Sequence, residues 1–176
     1  MEHILNKLFK NGIVTPEMTQ EEASVNLAIA IISKTGIRLN ELLKAHMGLI
    51  DSNSGRNINL VITTSEKTAQ QERKIILSPL LSNALTIYQS RFHTQSIKNK
   101  TIFYSSKTGN PISPKVFNNY INLNKNVLYQ GLTFNDFRKY ALKNMFERCE
   151  NFNPKTSIKR YMGHGNFQST TKYIKK

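Results

Sequence analysis

The sequence predicts a mainly α-helical domain with a small antiparallel β-sheet, an α+β fold. Three observations carry this prediction. Apolar residues recur at helical spacing behind capping signals along most of the chain. Paired β-branched runs stand at one place only, residues 58–63 and 74–77. The length, 176 residues, suits a single domain with its own hydrophobic core.

The elements follow in order. Residues 2–10 set Ile4, Leu5, Leu8 and Phe9 on one helical face, and Asn11-Gly12 stops that helix. Thr19 with Glu22 three residues on forms a capping box. It opens a strongly apolar helix over residues 23–34, which Gly36 ends. A second helix follows at once over residues 39–45. The β-branched runs are joined by the polar residues 64–73, giving a hairpin with a long tip. Pro79 opens a helix that runs through Phe92, and Thr108-Gly109-Asn110-Pro111 makes a turn. Ser113-Pro114 starts a helix to about Asn126, and Thr133 with Asp136 caps another to about Glu150. Pro154 starts a helix to Tyr161, and Asn166 starts the last. No repeat or low-complexity linker divides the chain, so residues 1–176 read as one domain.

The formal net charge of +14 is unevenly placed. Residues 98–176 hold 15 Lys/Arg against 3 Asp/Glu, a balance of +12, whereas residues 1–97 hold 10 against 8. Such a basic half suggests a polyanionic partner, the plain alternative being a solubilising surface or basic tail. Phe and Tyr interleave with the basic residues in periodic segments, which argues against a disordered tail. Cys149 is the one cysteine, which excludes a disulfide framework and a cysteine-based zinc site. It reads as a buried helix residue and fits a reducing cytoplasm. No basic leader opens the chain, and no apolar run nears the roughly 20 residues that span a bilayer. His3, His46 and His93 read as ordinary polar groups, so neither a metal nor another cofactor is implied.

The residues suited to chemistry are two arginines, a lysine, a histidine and a tyrosine, a set able to attack a phosphodiester. Arg38 follows the glycine that separates two helices, so its backbone is fixed by a turn. Its guanidinium offers paired donors matched to two phosphate oxygens. Alternatively it is a surface arginine paired with Glu41. Arg138 lies three residues after Asn135, on the same helical face. His164 sits between Gly163 and Gly165 at a helix start, placed for acid–base work or phosphate binding. Tyr173 follows the polar run Ser169-Thr170-Thr171-Lys172, whereas Tyr161 shares an apolar register with Ile158 and Met162 and reads as core.

These segments resemble the catalytic domain of a tyrosine recombinase, the family that includes phage integrases. The family's T-G-x-R-x-x-E-L helix start is matched by Thr35, Gly36, Arg38, Glu41 and Leu42. Its hairpin lysine is matched by Lys67, with Arg73 and Lys74 the other basic candidates of that hairpin. Its H-x-x-R motif is matched by Asn135 and Arg138, with asparagine in place of histidine. Its L-G-H, with the nucleophile nine residues after the histidine, is matched by Met162-Gly163-His164 and Tyr173. The match runs from about Thr19 to Lys176.

The resemblance implies that Tyr173 attacks a scissile DNA phosphate and forms a covalent 3′-phosphotyrosyl link. Arg38, Arg138, His164 and Asn135 then bind the phosphate, and Lys67 protonates the departing 5′ oxygen. The link stores the bond energy, so neither ATP nor a metal is needed. Asparagine can bond a phosphate oxygen but cannot share a proton, so Asn135 has no acid–base role. Double-stranded DNA is the implied partner, with Lys115, Lys139 and Arg160 contacting its backbone. The family implies a tetramer on two duplexes and an N-terminal clamp domain, which these residues do not contain. The chain ends three residues after Tyr173, so tetramer assembly is expected of a longer protein rather than of this piece. Two alternatives remain: a type IB topoisomerase-like nicking-closing enzyme, and a non-catalytic DNA-binding protein on the same fold.

Overall fold

The computed structural model describes residues 1–45, 50–51, 59–66, 69–93, 101–124 and 129–148. Among them the order is α1 (Glu2–Asn11), α2 (Gln20–Thr35), α3 (Leu39–Leu43), β1 (Ile50–Asp51), β2 (Asn59–Glu66), β3 (Ala69–Ile76), α4 (Pro79–Phe92), α5 (Pro114–Leu123) and α6 (Phe134–Arg148). The fold is mainly helical.

Helix α2 is the centre. The Thr19 hydroxyl accepts from the Glu22 N–H at 3.2 Å and fixes its start. Every residue from 23 to 33 is buried, so this helix has no solvent stripe. Helices α1, α3, α4, α5 and α6 all pack against it. Its few polar side chains are bonded inside the core: Ser24 Oγ lies 2.7 Å from the Tyr88 hydroxyl, and Asn26 Oδ1 accepts from Tyr129 at 3.3 Å. An aromatic row fixes α5 to its neighbours, with Phe117 edge-to-face on Phe103 at 5.5 Å and on Phe134 at 6.0 Å between centroids.

Strands β1, β2 and β3 pair antiparallel in that order. The β2–β3 ladder runs from Asn59 opposite Ile76 to Glu66 opposite Ala69. This corrects the long polar tip expected over residues 64–73, most of which is strand. Backbone pairing between two strands needs no apolar side chains, so a polar ribbon escapes a search for β-branched runs. Arg73 and Lys74 accordingly lie within β3, opposite Ile62 and Val61, not at its start.

Other ends also shift. Helix α3 stops at Leu43 because the N–H groups of Lys44 and Ala45 turn back to the carbonyls of Glu41 and Leu42, both at 3.2 Å. Helix α5 stops at Leu123, before the expected Asn126, where the Asn124 amide donates to the Tyr120 carbonyl at 2.9 Å. The helices expected from Pro154 and Asn166, and Cys149, lie outside the described residues. Among the described residues no helix is long and apolar enough to cross a membrane, and no His/Cys/Asp/Glu cluster could hold a metal ion.

Candidate functional site

The site is built at the α2–α3 junction. Gly36 has φ 63° and ψ 15°, the left-handed conformation that a side-chain-bearing residue adopts only at a cost. Its N–H closes α2 on the Ile32 carbonyl at 2.8 Å. Thr35 bridges the same turn: its hydroxyl donates to the Ile31 carbonyl at 2.7 Å and accepts from the Ile37 N–H at 3.4 Å. Ile37 is buried, which pins the chain before it emerges at Arg38.

Arg38 is the N-cap of α3. Its backbone N–H donates to Glu41 Oε2 and its Nη1 to Glu41 Oε1, both at 3.0 Å. The structure thus shows the pairing of this arginine with Glu41. Glu41 buttresses the helix start and orients the guanidinium, while the Arg38 side chain stays 45% exposed.

The second arginine comes from α6. The N-terminus of that helix is fixed by Thr133 and Asp136, as the sequence predicts. Asp136 N–H donates to the Thr133 hydroxyl at 3.3 Å, and Asp136 Oδ2 accepts from the Thr133 N–H at 3.0 Å and its hydroxyl at 2.6 Å. Burial pushes the Asp136 carboxyl up, but the bonds from Thr133 and the nearby Lys139 ammonium outweigh it and hold the group below its usual range. Asn135 is then exposed in the first turn, whereas Arg138, one turn on, is 3% exposed. Arg138 Nη1 donates to the carbonyl of Gly36, 102 positions away in sequence. The second arginine is thus bonded to the turn that presents the first.

Arg38, Asn135 and Arg138 line one cleft of about 290 Å³, together with Asn40, Asn118 and Thr133. The cleft offers guanidinium and amide donors and no carboxylate in its lining, chemistry suited to an anion. Asn40 and Asn118 were not singled out from sequence. The available signal for Asn118 was its place one turn after Lys115 on a short helix. Lys115 is exposed in the first turn of α5, and Lys139 is 52% exposed while paired with Asp136 at 3.3 Å. Lys67, Arg160, His164 and Tyr173 lie outside the described residues.

The helical core thus gathers two arginines into one cleft that has no carboxylate in its lining. The chain belongs to the Phage integrase family, whose model matches residues 5–176. Its fold is similar to that of the XerH site-specific recombinase in a pre-cleavage complex with difH, with TM-score 0.75, 16% identity, and 98% of this chain and 48% of that one covered. It is also similar to XerA recombinase, with TM-score 0.74, 16% identity, and 100% and 58% covered. A lambda integrase dimer bound to a core site gives TM-score 0.64 at 14% identity, with 99% and 46% covered. The chain therefore spans about half the length of these proteins, and at such identities the likeness establishes the fold. Among curated protein sequences no significant match is found.

Proposed function

We propose that the chain is the catalytic domain, residues 1–176, of a site-specific DNA recombinase. One observation carries this reading: Arg38, Asn135 and Arg138, from distant segments, line a single cleft, in a chain of the Phage integrase family. Two guanidiniums on one phosphate stabilise the charge that builds in a five-coordinate transition state, and each such preorganised donor is worth on the order of 10²–10³ in rate. Tyr173 is the nucleophile. Its phenol, with an ordinary pKa of about 10, needs cationic neighbours and a base to attack. Its oxygen bonds to phosphorus, its proton passes to His164, and the bond from phosphorus to the 5′ oxygen breaks. Lys67, which falls between Glu66 of β2 and Ala69 of β3, protonates that oxygen. The 5′ hydroxyl of a second strand then attacks the phosphotyrosine and reverses the step. Double-stranded DNA is the substrate, the cytoplasm the place of action, and a tetramer the assembly of the longer protein.

A nicked suicide duplex tests the reading. Wild type should accumulate a covalent protein–DNA adduct, and Tyr173→Phe should form none while binding DNA near wild-type affinity. Adduct that persists in Tyr173→Phe and vanishes in Tyr161→Phe would sink the assignment.

Asparagine at position 135 favours a second reading, a DNA-binding protein on this fold without cleavage, because that position lacks the proton-sharing group of the motif. DNA binding with no adduct in wild type would select it. Relaxation of supercoiled DNA without strand exchange would select a nicking-closing enzyme.

A further inference from the structure

A cavity of about 220 Å³ opens between α1, α2 and the turn before α6, and it shares no lining residue with the arginine cleft. Ile4 and Leu8 of α1, with Met18, form its apolar wall. Asn26 of α2, 9% exposed, and Tyr129, 4% exposed, form its buried end. The charged groups of its lining are the exposed Lys7, with exposed His3 one turn before it, and the half-buried Glu22. Their exposure sets them at the mouth.

The buried end is under-bonded. Asn26 Nδ2 donates to the Met18 sulfur at 3.5 Å, and a thioether is a weak acceptor. Asn26 Oδ1 accepts from the Tyr129 hydroxyl at 3.3 Å, longer than the roughly 2.5–3.0 Å of an O–H···O bond. Burial pushes the Tyr129 hydroxyl above its ordinary value, so it stays a donor. The amide therefore keeps one N–H and one oxygen lone pair for a guest, and buried polar groups left so are costly. Gln130, in the same lining, holds φ 47°, a left-handed conformation that a residue with a side chain enters at a cost. Such strain gathers at ligand sites.

One donor and one acceptor in a plane match a ring edge that offers the reverse pair, as N7 and N6 of adenine do. The volume is below the roughly 300–1,000 Å³ that drug-sized ligands fill, so it holds one ring system with its substituents at the mouth. There a carboxylate such as Glu22 accepts from ribose hydroxyls, and an ammonium such as Lys7 meets a phosphate as a point charge. A free apolar amino acid would satisfy Lys7 and Glu22 but would set a hydrocarbon against the Asn26 amide. We infer that this cavity binds an adenine ribonucleotide, with Asn26 on the base, Glu22 on the ribose and Lys7 on the phosphate. No residue of the arginine cleft takes part, so the site stands apart from the recombinase reading.

Titration calorimetry of the chain as given tests this, with adenosine 5′-monophosphate, its 2′-deoxy form, adenosine and inorganic phosphate as probes. The ribonucleotide should bind, the 2′-deoxy form and adenosine should bind more weakly, and phosphate should give no heat. Asn26→Leu nearly keeps the side-chain volume and removes the amide, so it should weaken the ribonucleotide by about 5- to 150-fold. Glu22→Ala should abolish the preference over the 2′-deoxy form, and Lys7→Ala the preference over adenosine. Both lie at the mouth on helices that alanine favours, so they report even if Asn26→Leu does not fold. Loss of binding in Arg38→Ala but not in Lys7→Ala would place the nucleotide in the arginine cleft and overturn the assignment. Phosphate that binds as well as the nucleotide, a folded Asn26→Leu with full affinity, or no binding by wild type at millimolar nucleotide would overturn it too.

Discussion

Arg38 and Arg138 hold different positions in one cleft, and their removal should read differently. Arg38 is half exposed and bonded to Glu41, so Arg38→Ala should cut cleavage by at least about 10² with little change in folding stability. Arg138 is buried and donates to the Gly36 carbonyl. Arg138→Ala should cut cleavage by a similar factor and also destabilise the fold by about 1–3 kcal/mol, since a buried carbonyl loses a donor. Single-turnover cleavage together with urea midpoints would check both, and near wild-type cleavage by either variant would reduce that arginine to a structural or backbone contact. Asn135→His should be tolerated and should sustain or raise cleavage, because an imidazole at that exposed first-turn position can both bond the phosphate and share a proton. Loss of activity with the fold intact would show a site built around the amide instead.

At the scale of elements, α4 shows how a helix end sets acid stability. Ser78 caps its start, and its N-terminal Pro79 was legible in sequence. His93, at its C-terminus, stacks on Tyr104 at 4.0 Å and meets the edge of Tyr88 at 5.3 Å. Burial pulls the imidazole pKa down from 6.5 to about 4. The folded state therefore holds His93 neutral where the unfolded chain would protonate it. The resulting stability is complete above about pH 6.5 and is lost as pH falls from there towards 4. Denaturant midpoints measured from pH 7 to 4 should fall across that window, and His93→Gln should flatten the decline. An unchanged slope in that variant would mean that other groups govern the decline.

For the whole molecule, the charge asymmetry predicts how DNA binding responds to salt. The +12 balance of residues 98–176 should give a steep fall of log affinity with log salt, each neutralised phosphate contributing roughly 0.9 to the slope. Removing Lys115, Lys139 or Arg160 should each lower the slope by about one. Lys139 tests this most sharply, because it must exchange the Asp136 carboxylate for a phosphate. A titration from low to physiological salt would decide, and a flat response would assign the charge to something other than DNA.

What the sequence by itself determined is what rests on short-range chemistry. The Thr19 cap, the Gly36 stop, Pro79 and the Thr133–Asp136 box act within a few residues, so the helix starts of α2, α4 and α6 were legible. So were the motifs that name Arg38, Asn135 and Arg138, which share one cleft, whereas His164 and Tyr173 lie outside the described residues. The polar half of the β2–β3 ribbon was not, because its pairing comes from backbone groups that side-chain periodicity does not report. Only the tertiary structure decided that α2 is buried on every side. It alone joined Arg138 of α6 to the Gly36 turn and set Asn118 of α5 in the lining of the same cleft. Each of those facts depends on contacts between segments tens to a hundred residues apart, which follow from how whole helices pack around one core and not from any local pattern.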